Sequence, residues 1–340
     1  MRVTRRGFLL AAAGAAACSR RDSQTGLKNA AQYLWSQQAE DGGWHSHTYG
    51  LLRSGQSLTP FVLDALLEIG DRPPGVDRAI EFIRRNINSE GSLGLMDSTV
   101  PDYPNYATGL GVRALIRAKA QGWETMVAAL RNQQFSEENG WHREDACYGA
   151  WGMGGERRRP PEAGHVDLAM TRYVLEGLAA AGVRPPDPAL DRALVYLERC
   201  QNPDGGFFFS TVNTDTNKAG ENGGRYLSYG TTTADGILAL RAASVAAGDL
   251  RISRARKWLR EHHQPNRVPG FEEGPRYLWS EGLRLYYAAA VTRAAPDLPV
   301  LLPPQRADGS FRNSVNLVKE DDPLIATAFA VRVLCNHKVE

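Results

Sequence analysis

The sequence predicts an all-α ring of six helix–turn–helix units. Three observations carry that prediction. A polar turn motif recurs along the chain, a hydroxyl residue stands seven positions before an apolar or aromatic one after each turn, and the last unit ends apolar.

The turn motif is a Gln, a polar stretch, then Gly and an aromatic. It reads Gln38-Ala-Glu-Asp-Gly-Gly-Trp44, Gln134-Phe-Ser-Glu-Glu-Asn-Gly-Trp141 and Gln201-Asn-Pro-Asp-Gly-Gly-Phe207. It returns as Gln264-Pro-Asn-Arg-Val-Pro-Gly-Phe271 and Gln305-Arg-Ala-Asp-Gly-Ser-Phe311, with a degenerate copy at Asn88-Ser-Glu-Gly-Ser-Leu93. Asp-Gly and Asn-Gly form turns because Gly accepts positive φ, which accounts for the 34 glycines.

The paired positions are Thr59/Leu66, Thr108/Leu115, Thr171/Leu178, Thr233/Leu240, Ser280/Tyr287 and Thr327/Leu334. Seven residues are two helical turns, so both members share a face. The small residues Ala65, Ala114, Gly177 and Ala239 between them suit close helix approach, while the fifth copy has Tyr286 there. The recurring hydroxyls are expected to bond carbonyls one turn back. Preceding outer helices are expected over Leu27–Gln38, Val76–Ile87, Thr125–Gln134, Pro188–Gln201 and Ile252–His263, with a Pro-broken remnant over Pro296–Pro304. Asp187-Pro188 and Asp322-Pro323 read as N-cap and N1 pairs. No alternating strands are evident. An open solenoid needs polar terminal caps. Here the chain closes on Val331, Val333 and Leu334, so a ring around a central cavity is expected.

Forty Lys+Arg against 38 Asp+Glu leave a net charge of +2, which offers no electrostatic basis for nucleic-acid binding. The four cysteines have no C-x-x-C spacing, which excludes a zinc ribbon or a disulfide framework. Residues 1–18 resemble a twin-arginine export signal: Arg5-Arg6 precedes the short apolar run Leu9–Ala17. Ala15-Ala-Ala-Cys18 is either a lipoprotein box that acylates Cys18 or a nearby Ala-x-Ala cleavage site. The expected organisation is a signal at 1–18, a linker at 19–26 and the ring at 27–340. The expected compartment is the periplasm or cell envelope, with membrane association through Cys18 if it is acylated.

The repeat resembles that of the squalene cyclase and protein prenyltransferase superfamily, whose members are (α/α)6 toroids, from about Leu27 to Leu334. Cyclases of this kind start carbocation chemistry with a D-x-D-D acid, where neighbours keep one carboxyl protonated. The nearest text here, His165-Val166-Asp167-Leu-Ala-Met170, keeps one Asp, and Asp321-Asp322 beside Glu320 is the remaining acidic group. Protein prenyltransferases hold zinc with Asp-x-Cys-Tyr and a distant His-Thr. Asp145-Ala-Cys147-Tyr148, followed by Trp151, resembles the first part, but Tyr229-Gly230-Thr231 stands at the second. The ligand set is incomplete, no cofactor is expected, and Cys147 reads better as a buried small hydrophobe.

Asp167, Asp321 and Asp322 are therefore the candidate acids. For Asp167 and Asp322, N-capping is the competing role, contributing about 1 kcal/mol. His165, Tyr148, Trp151, Tyr229, Thr231, Trp279 and Glu281 are the candidate cavity residues, with core packing the alternative for Trp279. The long hydrophilic loop Phe207–Leu227 could, together with Gly152–Gly164, cover one end of the ring. The expected function is binding of a small, lipid-like or glycan-like ligand without cyclase or prenyltransferase chemistry. The alternatives are a terpenoid-modifying enzyme with a rearranged acid site and a structural or partner-binding ring.

Overall fold

The computed structural model describes residues 23–97 and 99–336. The segment read as an export signal, Cys18 included, lies outside them. Outer helices α1 (23–36), α3 (Gly75–Arg85), α5 (Glu124–Asn132), α7 (Pro188–Cys200) and α9 (Leu250–His262) alternate with inner helices. The inner set is α2 (Leu58–Leu67), α4 (Pro104–Arg117), α6 (Leu168–Ala180), α8 (Gly230–Ala242), α11 (Arg284–Ala294) and α12 (Pro323–Asn336), with a one-turn α10 (Leu278–Gly282) before α11. Each inner helix packs on the next, and α12 packs back on α2, so the ring is closed. The segment read as a linker is helical from residue 23, and 296–304 forms no helix. The fold is all-α, as expected; a short hairpin of β1 (Glu221–Asn222) and β2 (Arg225–Tyr226), turning through Gly223 and Gly224 at φ 58° and 75°, lies in the loop before α8.

The repeated residues hold this ring through backbone groups. Gln38 Nε2 donates to Gly42 O in its own turn (2.9 Å) and to Gly75 O at the start of the next outer helix (2.8 Å). Gln134 joins Gly149 O to Ala189 O, and Gln201 joins Gly205 O to Arg251 O. Gln305 joins Gly309 O to Gly26 O of α1, stapling the last unit to the first. The turn glycines touch the same neighbours. A Cβ on Gly42, Gly149, Gly205 or Gly309 would meet a carbonyl oxygen of the next outer helix at 1.9–2.8 Å.

The hydroxyls have two jobs. Thr108, Thr171 and Thr233 donate back along their helices to Pro104, Asp167 and Tyr229 carbonyls, as expected. They also accept from the turn: Trp44 N to Thr59, Leu93 N to Thr108, Phe207 N to Thr233 and Phe311 N to Thr327, all at 2.9–3.0 Å. In the third unit Trp151 N is the donor to Thr171, not Trp141 N. The motif aromatic there is Trp151, reached through an inserted turn, and its indole donates to Leu130 O as Trp44 donates to Leu34 O. The fifth unit also departs, because Ser280 lies in α10 rather than in α11.

Candidate functional site

The inner helices enclose a cavity of about 260 Å³ at their N-terminal ends. Its wall carries seven aromatic rings: Phe61, Tyr103, Tyr106, Phe209, Tyr229, Tyr286 and Phe329. Leu52, Leu58, Met170, Leu283, Val318 and Ile325 fill the spaces between them. The few ionisable groups on the wall are Asp167, Lys218, Asp235, Lys319 and Glu320.

Beneath the cavity, the C-terminal halves of the inner helices close the hole with buried ion pairs. Asp64 meets Arg113 and Arg332 at 2.8 Å and Arg117 at 3.0 Å. Glu176 meets Arg113, Arg172 at 3.2 Å and Arg293 at 2.7 Å. The surrounding guanidiniums hold both carboxyls well below the usual range despite burial.

Asp235 stands where this network meets the cavity. It is 1% exposed. Its Oδ1 lies 3.4 Å from Arg172 Nη1, and its Oδ2 accepts from Tyr286 Oη at 2.8 Å. Burial pushes its carboxyl up to about 7, against the pull of Arg172 and Tyr286, and the Glu176 and Asp167 charges add to the rise. Glu320 is likewise buried and pushed up to about 7. Its oxygens accept from Leu285 N and Tyr286 N, so it caps the start of α11.

Of the sequence candidates, Asp167, Tyr229 and Thr231 lie on the cavity wall. Asp167 is also the N-cap of α6, accepting from Met170 N at 2.7 Å while Oδ2 holds His165 Nε2 at 2.7 Å. That bond raises the His165 pKa, and His165 lines a separate polar recess beside Gln134 and Arg158. Asp322 caps α12 through Leu324 N at 2.9 Å and takes a bond from Ser46. Asp321 accepts from Tyr49 Oη. Neither carboxyl lines the cavity, so of the three candidate acids only Asp167 reaches it.

Tyr148 and Trp151, expected on the wall, are elsewhere. Trp151 is fully buried behind the third turn, and Tyr148 Oη donates to Glu137. Trp279 faces Lys218 from outside the lining, and Glu281 contributes a carbonyl to Asn313. Asp145 and Cys147 do not form a metal donor set. Asp145 Oδ2 accepts from His142 N within its own turn, and burial pushes the Cys147 thiol up to about 12.

Sequence reasoning missed Asp235, although a signal existed. At 3.6 residues per turn, positions two and five beyond each inner-helix threonine point about 140–160° away from it, toward the ring axis. The second position holds Phe61, Leu110, Tyr173, Asp235 and Phe329, and the fifth holds Asp64, Arg113, Glu176, Leu238 and Arg332, charged in all but α8. Lys218 reaches the wall through loop geometry, which no periodicity encodes.

No family model matches the chain. Its fold is that of the terpenoid cyclase-like toroids. A variant of the type II terpene cyclase MstE from Scytonema, in complex with its substrate geranylgeranyl dihydroxybenzoate, superposes with a TM-score of 0.60 at 15% identity, covering 93% of this chain and 97% of that one. A protein from Actinoplanes gives 0.56 at 15% identity over 92% and 99%. Drimenyl diphosphate synthase from Streptomyces showdoensis is 28% identical over 184 residues, 54% of this chain but 32% of its own length. The chain thus spans about a third of that curated relative.

Proposed function

We infer, from a fold shared with terpenoid cyclases, that the central cavity binds an apolar chain of isoprenoid type. The observation that carries this reading is the wall itself: seven aromatic rings and branched aliphatics around 260 Å³ inside a closed ring. Such a surface gains by taking hydrocarbon out of water, and aromatic faces add contact with a chain's π-bonds. A solved neighbour holding a geranylgeranyl compound supports the same class of ligand. Farnesol and geranylgeraniol are expected to bind at micromolar levels in isothermal calorimetry. Ala169→Phe, which fills the wall beside Met170, should abolish that heat. Binding untouched by Ala169→Phe would remove the cavity from consideration.

A second reading has one observation in its favour. Asp235 is a carboxyl on the cavity wall that holds its proton up to about pH 7, as an acid delivering a proton to an alkene must. On that reading Asp235 replaces Asp167, Asp321 and Asp322 as the acid, and the neighbouring rings face the developing cation. Incubation with polyprenyl substrates in D2O tests it. A cyclised product carrying deuterium, lost with Asp235→Asn, supports the enzyme, whereas substrate recovered unchanged leaves a binding protein. The twin-arginine segment supports a place outside the cytoplasm, to be read from a reporter fused after residue 26.

A further inference from the structure

We propose that Lys218 is a covalent anchor, whose amine condenses with the carbonyl carbon of an aldehyde-bearing isoprenoid chain seated in the central cavity. This rests on the reading of the cavity as a site for such chains. It adds the functional group at the chain's end and the residue that takes it.

The loop between α7 and α8 presents Lys218 as a built feature. Asn217 Oδ1 accepts from Phe209 N and Ser210 N at 2.8 and 3.0 Å, and its Nδ2 returns to Ser210 O at 2.9 Å. From the neighbouring loop before α10, Arg276 Nη1 donates to the Lys218 carbonyl at 2.9 Å. With its backbone held from both sides, the side chain runs along the wall. Nζ comes to rest 3.7 Å from the centre of the Phe209 ring and 5.4 Å from that of Trp279.

Nζ is poorly satisfied there. Among the described residues its hydrogen bond is a long one, 3.4 Å to Thr216 O, and no carboxylate pairs with it, Asp167 being engaged by His165. The other lysine on the wall, Lys319, instead donates to Tyr103 Oη at 3.1 Å. Burial pushes the Lys218 amine down to about 8, only partly offset by the Asp167 charge. A useful share is therefore neutral near neutral pH, and the neutral amine is the nucleophile.

A second feature of the same wall points to a polar group on the ligand. Thr231 is 2% exposed, lines the cavity, and its Oγ1 has no hydrogen-bond partner among the described residues. A buried hydroxyl without a partner is costly, so it favours a ligand that offers an acceptor. A carbonyl oxygen on the ligand would accept from it and be polarised toward attack.

The step balances without a co-reactant. The nitrogen lone pair forms the C–N bond, the carbonyl π-pair moves to oxygen, and a carbinolamine results. Its C–O bond then breaks as the nitrogen lone pair forms C=N. The two amine protons leave with that oxygen as water, and nothing is oxidised or reduced.

The test uses the intact chain with farnesal and sodium cyanoborohydride, which reduces an imine to a stable secondary amine. The chain has six lysines, so peptide mapping resolves each. The expected result is one adduct per chain at Lys218, formed about tenfold faster than at Lys28, Lys119 or Lys257, with a rate rising from pH 6 to pH 9. Lys218→Arg should remove it, Thr231→Val should slow it severalfold, and excess farnesol should protect. Farnesol binding without an adduct at Lys218 would overturn the anchor while leaving the cavity reading intact. Adducts spread by exposure, or found at Lys319, would overturn it as well. So would fatty-acid binding that Lys218→Arg preserves while farnesal fails to label. If neither farnesol nor farnesal binds, both readings fall.

Discussion

Asp235 occupies the axis-facing position that other inner helices give to Phe61, Leu110, Tyr173 and Phe329. That substitution has a thermodynamic signature. Its carboxyl titrates near 7 in the fold but near 3.8 in an unfolded chain, and Glu320 moves from 4.5 to about 7. Between those values the folded chain keeps protons that the unfolded chain releases, so stability falls as pH rises through the window. Asp64 and Glu176 act oppositely: their carboxyls are held low by arginine, and the stability they contribute is lost as pH falls below about 4. The melting temperature should therefore peak near pH 4 and decline until about pH 7. Asp235→Asn should flatten the decline without moving the acid limb, as differential scanning calorimetry across pH would show. An unchanged slope would mean that Asp235 is ionised in the fold.

At the scale of the element, the turn glycines separate two costs that are ordinarily confounded. Gly149 and Gly182 both sit at φ 84°. A Cβ on Gly149 would lie 1.9 Å from Arg192 O, while one on Gly182 meets nothing within 4 Å. Gly182→Ala should cost about 1 kcal/mol from backbone strain alone. Gly149→Ala should cost at least twice that, because α7 has to move off the third turn, and urea titration of the pair measures the difference. Equal costs would show that the close approach relaxes freely. The threonines make a related prediction. Thr233→Val leaves the buried Phe207 N–H without its acceptor and should cost about 1–3 kcal/mol.

For the whole molecule, the buried ion pairs plug the ring's hole with opposite charges from α2, α4, α6, α11 and α12. Removing one hub strands several partners at once. Asp64→Asn leaves Arg113, Arg117 and Arg332 without their shared carboxylate and should destabilise by about 3–5 kcal/mol. Glu68 also meets Arg332 at 2.7 Å and Arg117 at 3.8 Å, so a loss under about 1 kcal/mol in chemical denaturation would show that Glu68 and Glu176 take over the pairing. The staple from Gln305 to Gly26 ties α1 to the last unit, so Gln305→Ala should raise hydrogen exchange in α1 before it does so in α6.

The amino-acid sequence by itself determined the repeat, the ring and the inner faces of its helices. Those follow from local rules: Gly at positive φ, Gln and Thr completing backbone hydrogen bonds, and helical spacing setting which side chains share a face. An insertion in the third unit obscures the repeat, because Trp141 imitates the motif while Trp151 fills the slot. Only the tertiary structure decided which groups meet at the axis. Asp235, Arg172 and Tyr286 come from three inner helices, and Lys218 from a 21-residue connection, Phe207–Leu227. Their protonation depends on burial and on neighbours distant in sequence. Asp321, Asp322 and Tyr148 had the right chemistry and spacing, but rotation about the ring set them to capping and turn contacts instead. A helical period states which face a residue takes; it carries no information about what stands opposite.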